Sequence, residues 1–311
     1  MKISIIGAGN VGGLTAMRLF EAGFGDIVLV DVAKGLAQGK AFDLEDASSI
    51  FKYNYRIQGT DDIEAIKDSN IIIVTAGLTR KPGMTREDLL NKNAQILKDI
   101  CLVIKNISGQ SIVIVVTNPL DLMTYLALKI TGLKSNKVFG MGVSLDTARF
   151  TNLISKELNV PNTDIEACVI GSHGEEMLPL PRFTTVKGIE LTEMLEDERI
   201  KVLVKKTLER GQEIVSLLGS GSAYFAPSQA IAAIVKIIVK DEKRLIGVSA
   251  YLNGEYGIKD ICIGVPCRLG KEGIEKIIEF DLNKEERSLF INSVESIHKN
   301  LELIKPFCHG L

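Results

Sequence analysis

The chain has 311 residues, enough for about two domains of roughly 150 each and for a core that needs no disulfide or metal staples. Apolar residues make up 46% and charged residues 24%, and 37 Lys plus Arg against 39 Asp plus Glu leave a net charge of −2. That balance argues against disorder and against a general polyanion-binding surface, so nucleic acid is not an expected partner. Five cysteines, Cys101, Cys168, Cys262, Cys267 and Cys308, form no CxxC pair and are odd in number. A secreted disulfide framework and a zinc ribbon are therefore disfavoured, and a reducing cytoplasm is the expected compartment.

In chain order, the first apolar run ends after Ile6 in Gly7 and Gly9, too short for a signal-peptide core, and reads as a strand. β-branched runs recur at 27–31, 71–77 and 111–119, separated by helical patterns. Continuous apolar strands alternating with helices predict a parallel sheet covered on both faces. In the stretch after Arg86, Leu89, Leu90, Ile96, Leu97, Ile100, Cys101 and Ile104 fall at three- and four-residue spacings, the period of an amphipathic helix. Beyond about Gly142 the pattern changes to a helix over 146–158, mixed strand-like runs at 167–170, 184–186 and 260–265, and a charged terminal helix. The most apolar long window, 217–239, contains Gly219, Gly221, Pro227, Gln229 and Lys236, so no membrane span is expected. The expected organisation is α/β: a doubly wound parallel sheet over 1–144, then a mixed α+β unit over 145–311. No linker separates the two, so they are expected to pack as one rigid unit with a cleft between them.

The motif GAGNVG at 7–12 fits G-x-G-x-x-G, follows the first strand and opens a helical stretch, and a second strand ends in Asp31, 19 residues beyond Gly12. Gly7 makes the tight turn, Gly9 lets backbone approach a pyrophosphate, Gly12 allows close helix packing, and the amides at Asn10 and Val11 open a helix whose dipole favours phosphate. Asp31 can accept from both hydroxyls of the adenosine ribose and would repel a 2'-phosphate, which favours NAD over NADP, with Lys34 working the other way. By this motif alone FAD and SAM sites stay open.

Of the three histidines, His298 and His309 lie in the charged tail, so a histidine acid/base would have to be His173, in GSHGEEMLPLPR. Asp146 and Arg149 in SLDTAR share a helix face, with Ser144 as an expected N-cap. Asp146 can orient a histidine through one ring nitrogen while Arg149 grips a substrate carboxylate; an ordinary ion pair on a solvated face is the alternative. Arg80 and Arg86 flank Pro82 and Gly83 at the carboxyl edge of the expected sheet, where a hinged lid or a plain basic loop would sit.

Taken together, GAGNVG, Asp31, TAGLTRKPGMTR, VTNPLD, GVSLDTARF, GSHGEEMLPLPR and GSAYFAP stand in an order and spacing that resembles the 2-hydroxyacid dehydrogenase family, in its lactate dehydrogenase-like group of malate dehydrogenases. The resemblance covers nearly the whole chain. It implies a Rossmann-type NAD-binding half, a C-terminal substrate half, NAD as cofactor, no metal, and a homodimer or homotetramer with 35–48 as a contact surface. It implies further that His173 gives and takes the proton, Asp146 is its partner, and Arg149 holds the C1 carboxylate of a small dicarboxylate. Arg86 would polarise the carbonyl, Arg80 would bind the second carboxylate, and Asn118, joined to Pro119 by an expected cis bond, would contact substrate and nicotinamide. Where the family usually reads GGHGD, this chain reads GSHGEE, so that Ser172 and Glu175 differ.

Three other readings compete. Lactate dehydrogenase shares His173, Asp146 and Arg149 but generally has glutamine at the place of Arg80. Tyr125 and Lys129 form the Y-x-x-x-K of short-chain dehydrogenases, read here as packing on an apolar helix. A non-catalytic NAD-binding relative would need only the first half.

Overall fold

The computed structural model describes residues 1–51, 55–79, 84–174 and 176–308. The first half runs β1 (Lys2–Ile6), α1 (Asn10–Glu21), β2 (Asp26–Val30), α2 (Leu36–Phe51), β3 (Ile57–Thr60), β4 (Ile71–Val74), α3 (Arg86–Ile107), β5 (Ile112–Val115), α4 (Leu120–Thr131) and β6 (Val138–Gly140). All six strands are parallel, in spatial order β3-β2-β1-β4-β5-β6, the doubly wound arrangement with its switch point at β1 and β4. Every residue of β4 and β5 is buried, as expected for strands covered on both faces.

The second half contains α5 (Val143–Leu158), β7 (Ile165–Glu166), β8 (Val169–Gly171), β9 (Met177–Pro179), β10 (Thr185–Val186), β11 (Ile189–Glu190), α6 (Leu191–Met194), α7 (Asp197–Leu218) and α8 (Phe225–Lys240). The hairpin of β12 (Arg244–Asn253) and β13 (Lys259–Gly270), then β14 (Gly273–Ile277) and α9 (Lys284–Cys308), complete it. The sheet continues from one half into the other, because β12 pairs antiparallel with β6 at Ser249 and Gly140, and β13 pairs with β8 at Gly264 and Gly171. Across the other side of the junction, Arg18 on α1 donates to Ser228 and Gln229 on α8.

Helix α4 is buried nearly all round, which marks an element enclosed within the molecule rather than one with a wet face. It packs between α3 and α9 and against β6, β12 and β13. Near its C-terminal end, Lys129 and the Tyr125 hydroxyl both reach Asp260 on β13, at 2.7 and 3.1 Å, and Tyr251 joins them at 3.0 Å. Tyr125 and Lys129 thus pin α4 to the β12–β13 hairpin, in keeping with a packing role.

Cys262 and Cys267 are fully buried in β13, where a five-residue separation puts them on opposite faces of the strand. Burial pushes both thiols up, so they are inert rather than a redox pair. No described helix is long and apolar enough to cross a membrane.

Candidate active site

The glycine-rich loop turns out of β1 with Gly7 at φ +105°. A Cβ on Gly12 would come within 1.8 Å of the Gly7 carbonyl oxygen, so α1 can start this close to the strand only with glycine there. Thr75, after β4, donates to that same carbonyl at 2.9 Å and holds the turn. Gly9 caps α1 without a side-chain partner, the first turn carries no acid, and a Cβ on Gly9 would meet no protein atom within 4 Å. Open space in front of uncapped amides is a cradle for an anion, and the amides at Asn10 and Val11 lie in that first turn.

Asp31 follows β2, its two oxygens held by the amides of Ala8 and Ala33 at 2.6 and 2.9 Å. The carboxylate is thereby fixed beside the loop, where a dinucleotide's ribose would stand. These residues fit NAD. From α2, Lys40 donates to the carbonyls of Ala8 at 2.7 Å and Gly9 at 3.1 Å, bracing the loop from the other side. Sequence reasoning missed Lys40, which lies on a helix with no motif of its own.

At the same carboxyl edge, Asn118 follows β5, exposed, on a cis bond to Pro119 as expected. Its carbonyl accepts from Asn93 of α3 at 2.8 Å, while Asn93 also takes the Leu78 amide at 2.7 Å. Asn93 is 1% exposed and ties the segment after β4 to the segment after β5. Its only sequence signal was a polar residue inside the apolar stripe formed by Leu90 and Leu97. Arg80 lies outside the described residues, as do the side chain of Arg86 and the whole of Glu175. The backbone at Arg86 opens α3 behind a capping box, with Thr85 accepting from the Asp88 amide and Asp88 accepting from the Thr85 amide, each at 3.0 Å.

Asp146 and His173 come together from α5 and the β8–β9 turn. The Asp146 side chain is fully buried; its Oδ2 lies 2.7 Å from His173 Nδ1 and its Oδ1 accepts from Arg149 Nη1 at 3.1 Å. The Asp146–Arg149 ion pair exists, but in a buried setting rather than on a solvated face. The Arg149 side chain is 12% exposed, and its Nε is buried without a partner among the described residues, which suits it to a second, bidentate anion. Ser144 corrects an expectation: the cap of α5 is Gly142, without a side-chain hydrogen bond, and Ser144 sits inside the first turn donating to the Met141 carbonyl at 2.8 Å. Helical φ/ψ begins earlier than the polar residue suggested because Val143, fully buried, already packs into the core.

Burial alone pushes His173 toward the neutral form. The Asp146 carboxylate on Nδ1, with Asp121 behind, outweighs that and raises its pKa above the ordinary 6.5, against a smaller opposing effect of Arg149. With Nδ1 committed to Asp146, Nε2 is the nitrogen left for a ligand. A cavity of about 700 Å³ lies at the opposite, amino edge of the strands, lined by residues such as Ser69, Asn70, Ser108 and Lys137, and contains none of this constellation.

An anion cradle, a carboxylate fixed beside it and a buried His–Asp–Arg cluster therefore share one edge of a doubly wound sheet. The same arrangement of sequence is matched end to end by two family models. Residues 1–140 match the lactate/malate dehydrogenase NAD binding domain and residues 143–308 the lactate/malate dehydrogenase alpha/beta C-terminal domain. The chain belongs to the lactate/malate dehydrogenase family. It is 48% identical over 300 residues to the malate dehydrogenase of Methanosarcina acetivorans, covering 96% of this chain and 98% of that one. The malate dehydrogenase of Roseiflexus sp. is 47% identical, with 98% of each chain covered. Among solved structures, Cryptosporidium parvum malate dehydrogenase superposes with a TM-score of 0.95 at 39% identity, over 98% of this chain and 99% of that one. Eimeria maxima lactate dehydrogenase with NADH and oxamate also reaches 0.95, at 36% identity, over 98% of this chain and 94% of that one. Membership of this family makes the chain an NAD-dependent oxidoreductase and excludes the FAD and SAM readings of the glycine motif.

Proposed function

We propose that the protein interconverts (S)-malate and oxaloacetate, with His173 as the acid/base, Asp146 as its partner and Arg149 as the clamp on the C1 carboxylate. The buried Asp146 carboxylate, shared between His173 and Arg149, carries this reading. The names of the malate dehydrogenases from Methanosarcina acetivorans and Roseiflexus sp. support the substrate, since the backbone likeness to lactate and malate enzymes is equal. Residues 1–144 would form the cofactor half and 145–311 the substrate half.

In the reducing direction His173, protonated, points a donor at the substrate oxygen from Nε2 while Asp146 holds the ring and stabilises its charge. NAD, when bound in its reduced form, supplies the hydride taken up by the carbonyl carbon. Arg149 aligns the substrate by its carboxylate, so that orientation is settled before the bond changes. Arg86, Arg80 and Asn118 complete the site in this proposal: Arg86 stabilises the charge growing on the carbonyl oxygen, Arg80 pairs with the distal carboxylate, and Asn118 lies between substrate and nicotinamide. The reverse reaction uses neutral His173 to accept the hydroxyl proton. Initial rates of NADH oxidation with oxaloacetate beside pyruvate test the assignment directly; a preference for pyruvate would replace it by lactate dehydrogenase.

Two outcomes follow from the site's electrostatics. Because Asp31 is an anion held where a 2'-phosphate would have to fit, NADH should exceed NADPH by at least about tenfold in kcat/KM, on the order of 1.4 kcal/mol. Equal efficiency with the two cofactors would remove Asp31 from that role. Because the pKa of His173 is raised above 6.5, oxaloacetate reduction should fall as pH climbs past that raised value, whereas malate oxidation should fall as pH drops below it. Paired pH profiles of kcat/KM in the two directions check the sign.

A cytoplasmic setting and a homodimer or homotetramer belong to the same proposal. The exposed Phe42 and Ile50 on α2, within and just beyond the contact surface expected at 35–48, support the second.

A further inference from the structure

Asp121 stands in the first turn of α4 and is 4% exposed, yet no described Lys or Arg pairs with it. Its three partners come from two separate parts of the fold. Ser249 of β12 donates to Oδ1 at 2.6 Å, the His173 backbone amide donates to Oδ2 at 2.9 Å, and the Ser172 hydroxyl donates to Oδ2 at 3.1 Å. The Ser172 amide is held in turn by Ser293 Oγ of α9 at 2.7 Å. A buried carboxylate with only hydrogen-bond donors around it is costly, and burial pushes its pKa up against those donors. Nothing in the proton transfer uses this group directly, and the fold keeps it beside the histidine.

We propose that Asp121 is a positioning residue for the acid/base histidine, pinning the 172–173 backbone to α4 so that the His173 ring meets Asp146, with Ser172 as an added donor peculiar to the GSHGEE form of this segment. This rests on the reading of His173 given above. The pin also joins two functions on one helix, because α4 begins just after Asn118 and Pro119. Among the described residues, the charged and titratable groups near the pair are Asp146 and Arg149 on α5 and the buried Cys262 on β13. Against the burial that favours its neutral form, the three donors and the charge of His173 favour ionised Asp121, which adds a second negative charge behind the imidazolium without touching the ring.

Asp121→Asn keeps the shape and one acceptor oxygen but deletes the charge. The pKa seen in the kcat/KM profile for oxaloacetate reduction should then fall by about half a unit to one unit, and kcat should fall roughly tenfold or more, while NADH affinity from fluorescence titration stays within about threefold. A purely structural role would not move the profile. An unmoved profile, whatever the kcat, overturns the proposal. Should that variant not fold, Ser172→Ala should lower kcat by about threefold with the NADH KM unchanged, and Ser172→Thr, which keeps a hydroxyl, should restore it; no loss in the alanine variant, or no recovery with threonine, likewise overturns it. Substantial turnover by His173→Asn would break the underlying acid/base reading, whereas an inactive His173→Asn beside an unaltered Asp121→Asn breaks only this one.

Discussion

Asparagine at position 173 is expected to lower oxaloacetate reduction by roughly a thousandfold, within the range of about 10² to 10⁴ that a positioned general acid contributes. The substitution keeps a polar side chain of smaller size but removes the group proposed to deliver a proton from Nε2. Because the glycine loop and Asp31 are built on β1, α1 and β2, away from the β8–β9 turn, NADH affinity should stay within about threefold of wild type. Asp146→Asn should be nearly as damaging, by roughly a hundredfold or more, since an amide no longer stabilises the imidazolium that Asp146 faces at 2.7 Å. It also leaves Arg149 without its buried counter-charge. Steady-state rates with fluorescence titration of NADH separate chemistry from binding. A His173→Asn enzyme within tenfold of wild type would locate the proton donor elsewhere.

Arg80→Gln is expected to change which acid the enzyme prefers. Oxaloacetate carries one carboxylate more than pyruvate, and a desolvated carboxylate without a partner costs several kcal/mol, as does a desolvated arginine left unpaired when pyruvate binds. In the proposed site the same side chain would therefore attract one substrate and reject the other. The wild type should favour oxaloacetate by at least about a thousandfold in kcat/KM, on the order of 4 kcal/mol. Glutamine at position 80 should shrink or invert that ratio, mainly by losing activity toward oxaloacetate. Arg149→Ala should damage both substrates, because both present a C1 carboxylate. An unchanged ratio in Arg80→Gln would take the second carboxylate away from Arg80. Equal TM-scores of 0.95 to a malate and a lactate dehydrogenase put the choice of substrate in side chains of this kind rather than in the course of the backbone.

The features legible in the one-dimensional order are those governed by rules that act over a few residues. A parallel strand buried on both faces needs an unbroken apolar run, and 71–74 and 112–115 show it. A turn at positive φ and a helix starting close against a strand each need glycine, so the roles of Gly7 and Gly12 could be read in advance. The stripe of α3 follows from 3.6 residues per turn. Even within such rules a local signal can mislead: Ser144 has the chemistry of a cap, but the buried Val143 before it belongs to the helix already. Contacts between distant elements obey no local rule. Asp146 meets His173 across 27 positions, Asp121 meets the His173 amide across 52, and Ser249 meets Asp121 across 128. A D-x-x-R pair has the same pattern on a wet helix face and in a closed interior, but only packing removes the water, and with the water gone the same charges act far more strongly. That is why Asp121, a single charge at the head of an apolar helix, passed as part of a motif until β12, α4 and the β8–β9 turn were seen to close around it.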